Sequence, residues 1–164
     1  MSRSLILAAT LLALPAFAED VQFKGHTLDV DASQEARNIR GMSGALYGVR
    51  GSPEQVIEKA QGCVAGVQGY AVVAVDAAAG RLEADGRFNY RKGWTTRSLR
   101  SRLLVEASPA QFRIAQSALG QAPLAAAEAT DADYAPISQE QGGWEDALDV
   151  LIPHEQGIVD CMYR

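Results

Sequence analysis

The sequence predicts an α+β fold in which an antiparallel β-meander carries two helices packed on one face, in the order β-α-β-β-β-β-α. Three observations predict it. A capped amphipathic helix begins at Ser52. From Tyr70 to Leu119 the chain alternates apolar and polar residues between short turns. From Trp144 to Met162 apolar residues again recur at helical spacing.

The elements follow in order. Residues 21–31 alternate loosely around Gly25 and predict an edge strand or short hairpin. Residues 32–51 are polar and hold Gly41, Gly44, Gly48 and Gly51, which predicts a long connection with a short helix at 34–39. Ser52-Pro53-Glu54-Gln55 then supplies an N-cap, a proline at the first helical position, an early acid and a glutamine at N3. That is a capping box. Val56, Ile57, Ala60, Cys63, Val64 and Val67 follow at helical spacing, so residues 53–67 form a helix that Gly69 stops.

At Tyr70 the period changes from 3.6 to 2. Residues 70–76 form an almost wholly apolar strand, and Ala77–Gly80 turn the chain. In residues 81–91, Leu82, Ala84, Gly86, Phe88 and Tyr90 share one face, and Arg81, Glu83, Asp85, Arg87, Asn89 and Arg91 the other. Residues 92–97 are a turn, 98–108 a third strand of the meander, and 111–119 a fourth with Phe112 and Ile114 inward. Clean alternation and short connections mean an antiparallel sheet with one wet face. Residues 120–143, rich in Ala, Asp, Gln and Gly, predict a long mobile loop. Residues 144–162 predict a second helix, kinked at Pro153.

The chain opens with Arg3, an apolar run of about ten residues from Leu5, and Ala16-Phe17-Ala18 before Glu19. Charge, apolar segment and small-x-small site stand in the order of a cleaved signal peptide, residues 1–18. The run is shorter than the roughly 20 residues a spanning helix needs. Residues 19–164 are then one α+β domain, exported to the periplasm or secreted, with no transmembrane segment after cleavage. In such a compartment the two cysteines, Cys63 and Cys161, pair as a disulfide. The loop closed is about 100 residues, for which the chain-entropy model gives up to ~4.7 kcal/mol.

Loss of Arg3 leaves the mature chain more acidic than the net charge of −5 of the whole, which argues against a nucleic-acid partner. The charge is unevenly spread. Residues 81–113 hold eight basic and three acidic side chains, and residues 114–164 one basic and nine acidic. Arg87, Arg91, Arg100, Arg102 and Arg113 fall on the wet face of the meander. Such a face recognises an acidic protein, a phospholipid head group or a polyanion. The same residues also suit cross-strand pairing. In one allowed register Asp85 faces Arg102 and Arg81 faces Glu106, and the acidic second helix or the 120–143 segment can cover the arginines. Trp94 sits in a basic turn, where it stacks on a ligand, dips into a membrane interface or folds back as a lid on the core.

Three stretches bear the resemblance to a known family: SPEQVIEKAQGCV (52–64), VDAAAGRLEADG (75–86) and RSRLLVEASPAQFRIAQSAL (100–119). Through them residues 21–119 resemble uncharacterised exported bacterial domains with a TATA-binding-protein-like fold. The resemblance implies the fold and brings no activity with it. DNA binding by the namesake fold does not follow from shape.

No catalytic or metal pattern stands out. His26 and His154 lack a histidine or cysteine partner at helical spacing, and both read as surface histidines near turns. Gly41–Ala45 lacks the final glycine of a nucleophile elbow and reads as a flexible loop. Asp131-Ala132-Asp133 meets Pro136 where a calcium loop needs glycine, so it reads as a solvated acidic loop. The sequence therefore points to a non-enzymatic periplasmic binding or envelope-assembly module without a cofactor. Its contact surface is Arg87, Arg91, Trp94, Arg100, Arg102 and Arg113, and its partner an unknown protein or anionic ligand. The alternatives are an enzyme or small-molecule-binding protein with a carboxylate or arginine site, and a homodimer built through an exposed edge strand.

Overall fold

The structure is a computed structural model and describes residues 21–33 and 35–164; the proposed signal peptide lies outside them. Among the described residues eight strands form one antiparallel sheet: β1 (Val21–Phe23), β2 (His26–Asp31), β3 (Asn38–Gly48), β4 (Tyr70–Asp76), β5 (Arg81–Lys92), β6 (Thr95–Ser108), β7 (Gln111–Ala122) and β8 (Ala135–Ser138). Their spatial order is β1-β2-β3-β8-β7-β6-β5-β4. Three helices, α1 (Pro53–Ala65), α2 (Trp144–Asp149) and α3 (Leu151–Tyr163), pack on one face. The α+β meander with helices on one side is as the alternation predicts.

The capping box forms as written in the sequence. The Gln55 amide donates to Ser52 Oγ at 3.4 Å, and the Ser52 amide donates to Gln55 Oε1 at 3.0 Å. Val56, Ile57, Ala60, Cys63 and Val64 are the buried stripe of α1. They meet Leu82, Ala84, Leu103, Val105, Phe112 and Ile114, the inward residues of β5, β6 and β7. Cys63 is bonded to Cys161, tying α1 to α3.

Four expectations need correction. The connection expected at 32–51, with its helix at 34–39 and its flexible Gly41–Ala45 loop, is largely the long strand β3. Its glycines answer close approach rather than flexibility. A Cβ on Gly44 would overlap the Glu155 carboxylate, and one on Gly41 would press on the Gln116 carbonyl oxygen. A bulge between Ser43 and Leu46 further breaks the alternation that marks a strand. The turn expected at 92–97 is tighter, with β6 starting at Thr95. The loop expected at 120–143 contains β8, wedged where β3 and β7 diverge: Ile137 pairs with Ile39, and Pro136 with Gly120. The final helix is two helices meeting at Val150. Pro153 lies in the first turn of α3, where its missing N–H costs nothing, and its ring excludes a continuous helix past the Asp149 carbonyl.

Among the described residues the two larger apolar clusters of the core lie one under α1 and α3, the other around β1, β2, β3 and α2. Tyr70 packs against both. Here the interior is polar: Gln116 Nε2 donates to the Tyr70 hydroxyl at 2.9 Å. Burial pushes the Tyr70 hydroxyl's pKa far up, so it is a neutral hydrogen-bonding group.

Candidate functional site

The helix-free face of the sheet carries the arginines, and strand register decides how they meet. Across the β5–β6 ladder Arg81 lies opposite Glu106 and Asp85 opposite Arg102, the pairing the sequence allows. The same register puts Arg87 directly opposite Arg100. Two like charges facing across a ladder destabilise a sheet unless an anion lies between them.

Asp131 supplies that anion. It heads a short 3-10 turn, Asp131–Asp133, held by a box of its own in which the Thr130 amide and hydroxyl both donate to Asp133 Oδ2 at 2.7 Å. These bonds hold the Asp133 carboxyl below its ordinary pKa. Asp131 Oδ1 lies 2.7 Å from Arg87 Nη2 and 3.8 Å from Arg100 Nη1. Arg100 Nη1 also donates to the Asp131 carbonyl at 3.2 Å.

Tyr134 forms a platform beside this cluster. The Arg100 guanidinium lies 5.2 Å from its ring centre and that of Arg87 5.9 Å, within cation–π range. The Ser98 hydroxyl donates to the Tyr134 hydroxyl at 3.1 Å and fixes the ring. Gly120, opposite Arg100 on β7, leaves the room: a Cβ there would come 3.1 Å from Arg100 Nε and 3.2 Å from Tyr134 Cβ. Two residues earlier a bulge sets Ala118 at φ +49°, a left-handed conformation held by a non-glycine residue. The result is a cavity of about 350 Å³ lined by Asp85, Gly86, Arg87, Arg100, Ser101, Arg102, Ala118 and Asp131. Arg100 Nε is buried over Gly120 without a hydrogen-bond partner.

The other predicted residues fall outside this cluster or at its rim. Arg102 is forked onto Asp85 at 2.8 and 2.9 Å and lies 3.6 Å from Glu83. Arg113 pairs with Glu106 at 2.9 Å. Trp94 is 99% exposed at the tip of the β5–β6 hairpin, so it does not fold back on the core. Arg91 stands four residues along β5 from Arg87, on the same exposed face.

Both histidines are placed differently from the surface positions expected. His26 is buried, with Nε2 3.2 Å from Glu155 Oε1, and Glu155 is 2% exposed. The contact is off the ideal hydrogen-bond line and leaves both Glu155 oxygens without a well-aligned donor. The Glu155 carboxylate raises the His26 pKa by close contact and charge, against the opposing effect of burial. His154 stacks on Phe88, ring centres 4.4 Å apart, and burial lowers its pKa. The signal was present in both patterns. His26 shares parity with Leu28 and Val30, and Glu155 stands four residues from Leu151 and three from Ile158.

The fold has known relatives in structure. A DUF4468 family protein from Bacteroides ovatus superimposes with a TM-score of 0.53 at 9% identity, over 76% of this chain and 86% of that one. A TBP-like protein from Parabacteroides distasonis superimposes with a TM-score of 0.53 at 6% identity, over 88% of this chain and 97% of that one. The chain therefore has a TATA-binding-protein-like fold, as the resemblance of residues 21–119 implies. No protein-family model matches the sequence, and no curated protein is similar to it.

Proposed function

We propose that this chain is an exported, non-enzymatic binding module that recognises an anionic group of its partner through the Arg87–Arg100–Arg102 pocket. The observation that carries the reading is the opposition of Arg87 and Arg100 across one ladder, beside a cavity large enough for an oxyanion. A cross-strand like-charge pair costs stability, and a site for an anion gives it a use. The signal-like segment at residues 1–18 and the Cys63–Cys161 bond favour export and an envelope partner. The test is a cross-linked pull-down of the tagged protein from envelope fractions at low and high salt. A partner released by salt, and lost in Arg100→Glu and Arg102→Glu variants, supports the reading. Equal capture by those variants at low salt removes the pocket from the contact surface.

A second reading is favoured by the edge strand β4. Val73 is 50% exposed and Val75 40% exposed on a strand that has, among the described residues, no neighbour on its outer side. Open apolar edges pair with other strands, so a homodimer through β4 is the alternative. Light scattering of wild type and Val73→Lys decides it: a dimer that becomes a monomer supports the edge, and a wild-type monomer rejects it.

A further inference from the structure

We infer that Asp131 is a tethered occupant of the arginine pocket, and that a free oxyanion, carboxylate or phosphate, binds by displacing it. The inference rests on the reading of the pocket as an anion site. Three features of the contact support it. Asp131 uses one carboxylate oxygen on two arginines, close to Arg87 at 2.7 Å and too far from Arg100, at 3.8 Å, for a hydrogen bond. The contact with Arg100 is thus only partly made, and an untethered oxyanion between Arg87 Nη2 and Arg100 Nη1 is free to approach both closely.

The second feature is how weakly Asp131 is held. Its side chain is 76% exposed, and an exposed ion pair contributes little to stability. The third is the construction of the segment that carries it. Between β7 and β8 the Thr130–Asp133 box keeps the turn folded by itself, independently of the arginines. The turn can therefore lift as a unit. Behind it, Tyr134 and Ala129 stay in a small buried cluster with Ala122, and Asn89 Oδ1 accepts from the Ala126 amide at 2.7 Å. These contacts limit the movement to the turn and return it when the ligand leaves.

The arrangement makes affinity depend on one internal carboxylate. Removing its charge releases Arg87 from its ion pair and leaves only the backbone carbonyl of Asp131 on Arg100 Nη1, whereas removing the charge of Glu128, exposed in the same segment, leaves the contact intact.

The experiment is calorimetric titration of the folded protein with inorganic phosphate and, separately, citrate, on wild type, Asp131→Asn, Glu128→Gln and Arg100→Gln. Hydrogen exchange of residues 123–134 is followed with and without the same anions. The expected result is an affinity about tenfold higher in Asp131→Asn than in wild type, unchanged in Glu128→Gln and lost in Arg100→Gln. Exchange in the wild-type segment rises on adding the anion. Preference between phosphate and citrate tells which oxyanion the pocket takes. Equal affinities in wild type and Asp131→Asn, with loss in Arg100→Gln, would leave the pocket standing and overturn the tethered occupant. An equal gain in Glu128→Gln would reduce the effect to general charge and overturn it also. No binding to any folded variant would reject both pocket and occupant.

Discussion

His26 and Glu155 form a buried pair, 3.2 Å apart, that joins the N-terminal hairpin to the last helix across the dry face of the sheet. Its energetics are those of two charges taken out of water with few other hydrogen bonds to compensate. Removing one partner strands the other. Glu155→Ala is expected to lower stability by about 3–5 kcal/mol in urea unfolding, the usual cost of a broken buried pair. The double variant His26→Phe with Glu155→Leu is expected to recover most of that loss, because an apolar replacement leaves no charge unpaired. A double variant as unstable as Glu155→Ala would show that packing, rather than charge, dominates here.

The same pair gives stability a pH dependence, and His154 gives an opposite one. The folded pKa of His26 is raised above the ordinary 6.5. Its contribution is complete below 6.5 and is lost as pH rises through the higher folded value. The folded pKa of His154 is lowered below 6.5. Its contribution is complete above 6.5 and is lost as pH falls through the lower folded value. Urea midpoints measured from pH 4 to 9 are expected to fall on both sides of a maximum near neutrality (about pH 6–7). His26→Gln flattens the alkaline limb, and His154→Gln flattens the limb just below 6.5. An alkaline limb unchanged in His26→Gln would assign it to another group.

Gly44 shows why β3 escaped the sequence reading. Its missing side chain makes room for Glu155, so the residue that looks like a loop signal is a packing requirement. Gly44→Ala is expected to cost about 1–3 kcal/mol, the range for overpacking a filled interior. It also pushes the carboxylate off His26, so the alkaline pH dependence should shrink in the same variant. A Gly44→Ala protein with wild-type stability and pH profile would place Glu155 elsewhere.

What could be read from the sequence divides along the same physical line. β5, β6 and β7 were legible because each buries one face only, and parity then records which residues point inward, from Leu82 to Ile114. The Asp85–Arg102 pairing was legible because a short hairpin turn fixes register. β3 was not, since glycines replace the apolar markers and a bulge resets parity at Ser43. β8 was not, since four residues with a proline carry too little pattern. Asp131 reaches Arg87 from 44 positions away, and no local period encodes a contact of that range. The buried pair was visible in parity but hidden by chemistry, because a histidine and a glutamate at inward positions resemble surface residues until their partners are known.

Trp94 and Trp144 separate the exposed and packed aromatics of the chain. Trp94 is 99% exposed, whereas Trp144 lies 5.3 Å from the Phe23 ring at the edge of the second cluster. Trp94→Phe is expected to leave stability within about 0.5 kcal/mol of wild type, as for surface substitutions generally. The fluorescence that remains, from Trp144, should be shifted to shorter wavelength. A loss of stability beyond that range would mean that the hairpin tip is held by packing.

The Cys63–Cys161 bond joins helices that also pack through Val64, Ile158 and Met162. It closes a loop with a sequence separation of 98, so its main effect falls on the unfolded chain. Reduction, or the double variant Cys63→Ala with Cys161→Ala, is expected to lower stability by about 2–5 kcal/mol. The helices should still dock, because their shared apolar cluster does not depend on the sulfurs. Far-ultraviolet circular dichroism is therefore expected to be unchanged in the absence of denaturant, while the urea midpoint falls. Loss of helical signal without denaturant would instead make the bond a condition of folding, and would confine the folded protein to an oxidising compartment.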